Sequence, residues 1–290
     1  MASDPHSRDI GEPWLLRLVL VAGAGAVITL MLVLPLAVVF AEAFAKGVGY
    51  LLSTLSTPDS LAAIRLTLVI AAIVVPANTV FGVAAAWCIT RYQFPGRHVL
   101  VSLIGLPFSV SPVISGMVYV LLFGLGGWLG PFLQAHDIKI IFALPGLLLA
   151  TGFVTLPFVA GQLIPLMQAQ GIEQEQAALT LGASGWQIFF RITLPRIRWA
   201  LLYGVLLCNA RAMGEFGAVS VVSGHIRGVT NTMPLHIEIL YSEYDLAAAF
   251  GVALLLSCMA LLTMAAKAFL DWRDHRQFAL GAQAALVAPL

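Results

Sequence analysis

Two ionisable residues, Arg211 and Glu215, interrupt an apolar stretch that is otherwise long enough to cross a membrane. A charged side chain in hydrocarbon is costly, so each is a candidate for function. Two interpretations are open. Four residues apart on a helix, the two side chains share one face and can neutralise each other as a structural pair. Alternatively, the Arg211 guanidinium faces a transport path, where its charge offsets the desolvation of a passing anion.

A second candidate lies in the stretch LPFSVSPVISG, residues 106–116. Ser111 before Pro112 can cap a helix that restarts within the membrane. The N-terminus of such a half-helix presents free N–H groups and the positive end of its dipole, which suits an oxoanion. The competing interpretation is a plain proline kink whose freed carbonyls are satisfied by neighbouring helices.

The third candidate is a polar segment, GIEQEQAALTLGASGWQIFFRITLP (residues 171–195), between two apolar stretches. Residues 172–181 favour a helix through their Glu, Gln, Ala and Leu, and Gly182 can adopt the left-handed conformation that ends it. Ser184, with Gln187 three residues later, forms a capping-box pattern that starts a second short helix. Because helices this short are unstable alone in water, both are expected to pack on another surface.

The same polar segment predicts a docking face and a boundary. Ala177 and Ala178, together with Leu181, form a small-residue face that lets another protein approach closely. At the end of the segment, Leu194–Pro195 is expected to stop the second helix before the next membrane span begins.

Composition places the chain in a membrane, because 60% of its residues are apolar and 10% are charged, against roughly a quarter charged in soluble domains. Apolar stretches of about 20 residues predict transmembrane helices. Six spans are expected, at about residues 15–44, 62–90, 98–123, 140–165, 198–224 and 246–270. The prediction is one all-α integral membrane domain, residues 1–290, with the loop 168–197 between the fourth and fifth spans.

Glycine and proline interrupt the apolar stretches at defined places. The sequence GLGGWLGP (residues 124–131) predicts that the third span ends near Phe123. Residues 129–135 are expected to form a short helix at the outer interface. Three further prolines are interpreted as kinks only: Pro35, Pro76 and Pro157.

Basic residues orient the spans, since cytoplasmic loops carry the excess of Lys and Arg. With both termini inside, ten basic residues fall on the cytoplasmic side: Arg8, Arg17, Arg91, Arg97, Arg191, Arg196, Arg198, Lys267, Arg273 and Arg276. Four fall outside: Lys46, Arg65, Lys139 and Arg227. Both termini and the loop 168–197 are therefore expected to face the cytoplasm.

The sequence argues against several other classes. It contains no G-x-x-x-x-G-K-[ST] loop, so the chain is not expected to bind ATP or to act as an enzyme. Its cysteines and histidines lack metal-ligand spacing, so no metal and no cofactor are expected. A net charge of +1 gives no basic field for nucleic acid. The sequence shows no Ser–His and no paired-Asp constellation at membrane depth, so an intramembrane hydrolase is not expected.

The stretch QAALTLGASGWQIFFRITLP resembles the signature loop of ABC-transporter permeases, in which Glu-Ala-Ala precedes a glycine and a later Leu-Pro. Aligned on Gly182, Gln176 stands where that family usually has Glu, and Glu175 lies one place earlier. In that family the loop forms the coupling helix, which docks into a groove of the ATP-binding subunit. The resemblance implies that this role falls to Glu175, Gln176, Ala177, Ala178, Leu181, Gly182 and Ala183.

A second resemblance narrows the substrate. NARAMGEFGAVSVVSGHIRG (residues 209–228) is similar to the fifth-helix signature of sulfate and molybdate permeases. TMPLHIEILYSEYD (residues 232–245) resembles the W-type subunit of sulfate/thiosulfate importers, and the likeness extends over residues 14–273.

The resemblance implies a MetI-like permease fold in the cell inner membrane, surrounded by lipid. The implied partners are a paralogous T-type sulfate permease in a heterodimer, two ATP-binding subunits and a periplasmic sulfate/thiosulfate-binding protein. The pore or gate candidates are Ser111, Pro112, Arg211 and Glu215. A molybdate/tungstate permease is the nearest alternative, because those anions share charge and tetrahedral shape. An ion-coupled secondary transporter is a further alternative, but it would have no use for the coupling loop.

The orientation is tested by cysteine labelling in a variant whose three native cysteines are replaced. Ser3→Cys, Ser184→Cys and Gln283→Cys should each resist an impermeant thiol reagent in intact cells, because the ten-to-four charge asymmetry places them inside. Lys139→Cys, expected outside, serves as the control that labels. Labelling of any of the first three would overturn the topology.

Overall fold

The computed structural model describes residues 14–287, with side chains through Phe269 other than that of Lys267. The expected cytoplasmic N-terminus falls in residues 1–13 and lies outside this range, as do residues 288–290. Within the described range the chain is helical and contains no strand, as expected for an all-α membrane protein.

The helices follow one another with short connections. The first half contains α1 (Trp14–Ile28), α2 (Leu34–Ala43), α3 (Val48–Leu55), α4 (Pro58–Arg91), α5 (Arg97–Ser109), α6 (Pro112–Phe123) and α7 (Gly130–Ala135). The second half contains α8 (Leu144–Thr155), α9 (Pro157–Gln170), α10 (Glu173–Thr180), α11 (Gly185–Ile188), α12 (Leu194–Met213), α13 (Gly217–Ser223), α14 (Met233–Ser242) and α15 (Leu246–Val287). The third span does end at Phe123, and a short helix follows it as expected.

Four helical segments are long and apolar enough to cross a membrane: Trp14–Ala43, Pro58–Arg91, Leu144–Gln170 and Leu246–Ala266. Two more spans are broken. The α5–α6 pair bends by 108°, and the helix Gly185–Met213 bends by 48° against α13. With each bent pair counted as one span, the described residues hold six, the number expected from the sequence.

The tightest packing joins α4, α9 and α12 around Val159, which is fully buried. A Cβ added to Gly82 of α4 would lie 2.7 Å from the Val159 Cβ, and one added to Gly204 of α12 would lie 3.1 Å from the Val159 Cα. Glycine at both positions lets the helices approach closely, which is how helices associate where lipid removes the hydrophobic driving force. A second cluster, around Leu147 and Val219, joins α4, α8 and α13.

Two prolines are accommodated by π-helical turns. Proline lacks the N–H that would reach the carbonyl four residues back, and its ring collides with that carbonyl. Before Pro195 the turn Phe189–Thr193 widens, so that the Leu194 N–H bonds the Phe189 carbonyl five residues back. The same widening at Thr29–Val33 precedes Pro35.

The expectation that Leu194–Pro195 stops the second loop helix is therefore wrong. The wider π turn relieves the clash with the crowded carbonyl, so α11 continues through Phe189–Thr193 into α12 as one helical segment. The second helix of the polar segment is thus continuous with the helix of the fifth span.

Pro157 interrupts the backbone hydrogen bonding between α8 and α9 within the single helical span Leu144–Gln170. The Leu156 N–H bonds the Phe153 carbonyl three residues back, which leaves the Gly152 carbonyl without its usual helical partner. Asn78 of α4 replaces that partner, because its Nδ2 donates to the Gly152 carbonyl at 3.0 Å and to Thr155 Oγ1 at 2.8 Å. A side chain on one span thus satisfies the break in another.

Asp245 ties α3 to the start of α15. Its carboxylate accepts hydrogen bonds from the Tyr50 hydroxyl at 2.5 Å, from Lys46 Nζ at 3.3 Å and from the Ala248 N–H at 3.3 Å. The Tyr50 hydrogen bond is the main reason that the pKa of Asp245 lies below its ordinary value.

We expect Asn78→Leu to lower the thermal unfolding midpoint of the purified protein in detergent. The substitution leaves the Gly152 carbonyl unpaired in an apolar environment, and interhelical hydrogen bonds in membrane proteins contribute about 0.6–2 kcal/mol. Thr79→Val is the matched control, since Thr79 Oγ1 bonds only the Val75 carbonyl of its own helix. Equal midpoints for the two variants would show that the clamp contributes nothing.

Candidate functional site

The polar segment folds as two helices around a glycine corner, as the sequence predicts. Gly182 has φ +85°, its N–H bonds the Leu179 carbonyl, and the Ala183 N–H bonds the Ala178 carbonyl. This pair of bonds is the Schellman arrangement that ends helices at a left-handed glycine. The capping box is also present, with Ser184 Oγ accepting from the Gln187 N–H and Gln187 Oε1 accepting from the Ser184 N–H.

Large apolar side chains stand exposed on this polar segment. We define the loop face as Leu179, Leu181, Trp186 and Phe190, whose exposed fractions run from 55% to 88%. Trp186 and Phe190 stack on each other with ring centroids 5.8 Å apart. Ala177 and Gln176 are also exposed, while Ala178 and Ala183 are half-buried. Exposed Glu and Gln side chains adjoin this face, and an exposed apolar patch with a polar border is typical of an interaction surface.

Glu175 points inward instead of outward. Its carboxylate contacts Arg91, with Arg91 Nε 2.5 Å from Oε2 and Arg91 Nη2 donating to Oε1 at 2.9 Å. Thr193 Oγ1 donates to the same Oε1 at 2.7 Å. The Arg91 and Glu175 side chains are 8% and 9% exposed. From the sequence, Arg91 was expected only to contribute to the charge asymmetry that orients the spans, and Thr193 was not identified. Arg91 and Glu175 are 84 residues apart, and no sequence spacing indicates that they pair.

Arg211 and Glu215 do form an ion pair, but not on one helix. The α12 helix ends at Met213, so the expected shared helical face is absent, and the pair bridges the break before α13. Arg211 Nη1 lies 2.6 Å from Glu215 Oε2, and Glu215 Oε1 accepts from the Ala218 N–H at 2.9 Å. A carboxylate in this place satisfies a free N–H of the restarting helix and favours its dipole.

The two members of this pair differ in burial. The Glu215 side chain is 1% exposed, whereas that of Arg211 is 34% exposed. The carboxylate is thus held by its partners inside the protein, and the guanidinium keeps an open side.

At the other break, α6 restarts at Pro112 with Ser111 in the N-cap position, as expected. The expected side-chain cap is not formed. The Ser111 carbonyl accepts from the Ser115 N–H at 3.0 Å and from Ser115 Oγ at 3.2 Å, while the Ser111 hydroxyl makes no capping bond and is exposed. Pro112 removes one of the first N–H groups of the helix, so a side-chain cap has fewer donors to satisfy.

The structure brings the two breaks together. A Cβ added to Gly217 would lie 3.0 Å from the Pro112 Cβ, and one added to Gly116 would lie 2.7 Å from the Ala218 carbonyl oxygen. The half-helices α6 and α13 therefore pack backbone to backbone. We call this region the break junction; it holds Ser111, Pro112, Arg211 and Glu215.

Two other features lie apart from these sites. A mostly apolar, open pocket of about 510 Å³ is lined by the ends of α6 and α7 and by residues 137–142, and its lining includes no residue of the loop face or the break junction. Among the side chains that the structure describes, no group of three His, Cys, Asp or Glu could hold a metal ion.

Comparison with known proteins agrees with this architecture. Residues 78–277 match the family model described as "Binding-protein-dependent transport system inner membrane component". The chain is 52% identical over 247 residues to the sulfate transport system permease protein CysW of Escherichia coli (strain K12), covering 85% of each chain. It is 35% identical over 237 residues to CysT of the same organism, covering 82% of this chain and 86% of that one.

A solved structure shares the fold. A chain of the crystal structure of a bacterial alginate ABC transporter, in complex with an alginate pentasaccharide-bound periplasmic protein, superposes with a TM-score of 0.72 at 17% identity. The match covers 94% of this chain and 98% of that one. The protein is thus a multi-pass membrane protein that belongs to the binding-protein-dependent transport system inner membrane component family of ABC importer permeases, among its CysW-like members.

Proposed function

We propose that this chain is the permease subunit of an ATP-driven importer that moves sulfate or thiosulfate across the cytoplasmic membrane. The observation that carries the proposal is the exposed loop face on an ordered helix–glycine–helix segment, in a chain 52% identical to a sulfate transport system permease. The spans 15–44, 62–90, 98–123, 140–165, 198–224 and 246–270 form one permease domain, with the loop 168–197 and both termini in the cytoplasm.

The loop face is the contact with a separate ATP-binding subunit. Leu181, 88% exposed, and Trp186, 74% exposed, lie on either side of the Gly182 corner. An apolar patch in a polar environment gains free energy when a partner covers it. Because α11 runs without a stop into α12, a push on this face is delivered directly to the fifth span.

The complete importer has further subunits. A T-type permease related to CysT pairs with this chain, each permease engages one ATP-binding subunit, and a periplasmic sulfate/thiosulfate-binding protein delivers the anion. The relatives support the pairing, since both CysW and CysT are named sulfate transport system permease proteins. This chain supplies no nucleotide-binding loop of its own, so it needs separate subunits for ATP hydrolysis.

The break junction is the part of this chain that meets the anion. Arg211 keeps an open side while Glu215 anchors it, and the hydroxyl of Ser111 is exposed at the neighbouring break. A guanidinium and a hydroxyl are donors that suit an oxoanion passing through a membrane. The alternative is that Arg211 and Glu215 form a purely structural ion pair.

The proposal is tested in proteoliposomes that hold the complete complex, by measuring uptake of sulfate, thiosulfate and molybdate. Gly182→Val should lower sulfate uptake at least about tenfold without preventing membrane insertion. A β-branched residue at φ +85° is strained by roughly 1–2 kcal/mol or more, and relief of that strain shifts Leu179 and Leu181 relative to Trp186 on α11. Normal uptake in this variant would show that the loop is not the coupling element.

Gly185→Val is the matched control, because a Cβ at Gly185 meets no atom within 4 Å and no positive φ is needed there. It should transport like the wild type. Absence of a co-purifying ATP-binding subunit from wild-type preparations would refute the function itself, and preferential molybdate uptake would refute the substrate.

Arg211→Met, Glu215→Gln and the double variant separate the pore role from the structural pair. Arg211→Met strands a carboxylate that is 1% exposed, and breaking a buried pair costs about 3–5 kcal/mol. Glu215→Gln costs less, since Gln can still accept the Ala218 N–H and Arg211 retains an open side. We therefore expect complex yield to fall most in Arg211→Met and to recover in the double variant.

Sulfate uptake then decides the role of Arg211. Recovered yield with low uptake in the double variant supports an anion contact. Recovery of both yield and uptake would show that Arg211 and Glu215 form only a structural pair.

A further inference from the structure

Glu175 is the anchor of an otherwise exposed helix. It is the one buried residue of α10, and the other seven residues of that helix are exposed or half-buried. The helix is therefore held to the rest of the chain by a carboxylate and not by an apolar face. A hydrogen-bonded ion pair is strong and geometrically specific, so it fixes both the position and the direction of the helix.

The Glu175 carboxylate lies where the ends of three spans meet. Arg91 is the last residue of α4, and Thr193 is the last residue of the π turn that leads into α12. The Arg91 guanidinium also reaches the Met167 carbonyl in the last turns of α9, with Nη1 3.4 Å from the oxygen.

A second pair braces the same region. Arg196 Nη2 donates to the Gln170 carbonyl at 3.1 Å, and Gln170 Nε2 donates to the Arg196 carbonyl at 3.4 Å. The ends of α9 and α12 are thus joined independently of Glu175. Loss of the Glu175 contacts would release α10 while leaving these two spans attached to each other.

We propose that Arg91, Glu175 and Thr193 form a latch that transmits displacement of α10 to the ends of α4 and α12. Glu175 is a positioning residue in this scheme: it does not touch the ATP-binding subunit, and it holds the loop face at a fixed distance from the spans that move. The latch rests on the proposed function, because it matters only if the loop face is driven by a partner. Because Arg211 lies near the end of α12, displacement of this helix reaches the break junction.

The test compares Glu175→Gln with Glu173→Gln in the reconstituted complex. Both remove one carboxylate from the first turn of α10, but Glu173 is exposed and Glu175 is buried. The measurements are co-purification of the ATP-binding subunit and sulfate imported per ATP hydrolysed. Glu175→Gln should keep co-purification within about twofold and lower sulfate per ATP at least about tenfold, whereas Glu173→Gln should change neither.

Two results would overturn the latch. Wild-type sulfate per ATP in Glu175→Gln would show that the ion pair transmits nothing. Loss of the ATP-binding subunit from an otherwise folded Glu175→Gln protein would place Glu175 at the subunit contact instead. Failure of the wild-type complex to bind an ATP-binding subunit would refute the proposed function, which is a separate outcome.

If the Glu175→Gln protein does not accumulate in the membrane, Thr193→Val tests the latch instead. This variant preserves both charges and the side-chain volume, and it removes only the hydroxyl that bonds Glu175 Oε1. Sulfate per ATP should fall several-fold at normal yield. Normal coupling in Thr193→Val would then refute the latch.

Discussion

Every backbone N–H and carbonyl in hydrocarbon must find a partner within the protein, and the rest of this structure depends on that constraint. An unbroken helix satisfies it automatically, so each interruption requires a specific compensation. Pro35 is preceded by a π turn, the interruption at Pro157 is satisfied by Asn78, and the restart of α13 is satisfied by Glu215. Each compensation fixes the relative position of two segments.

The helices also change direction at two breaks, one between α5 and α6 and one before α13. The break junction joins α6 and α13 through glycine contacts and leaves the Arg211 guanidinium with an open side. A polar group can stay in this region because its partner is built into the restarting helix. The cost of burying Glu215 is offset by its ion pair with Arg211 and by the hydrogen bond from the Ala218 N–H.

The loop between the fourth and fifth spans follows different physics, because water can satisfy its backbone. Its shape comes from local signals, a left-handed glycine and a capping box, while its place comes from one buried ion pair. The same segment therefore presents apolar side chains outward and a carboxylate inward. This arrangement suits an element that must contact a partner and remain attached to the spans.

The sequence by itself determined the membrane class, the number of apolar stretches, the corner at Gly182, the restart at Pro112 and the family. These features depend on composition and on residues a few positions apart, and both can be recognised in the sequence alone. Only the tertiary structure decided that Pro195 does not end a helix, that Glu215 caps α13 across a break, and that Glu175 pairs with Arg91. A partner 84 residues away along the chain leaves no periodic signal, and the tolerance of a proline depends on the turn that precedes it.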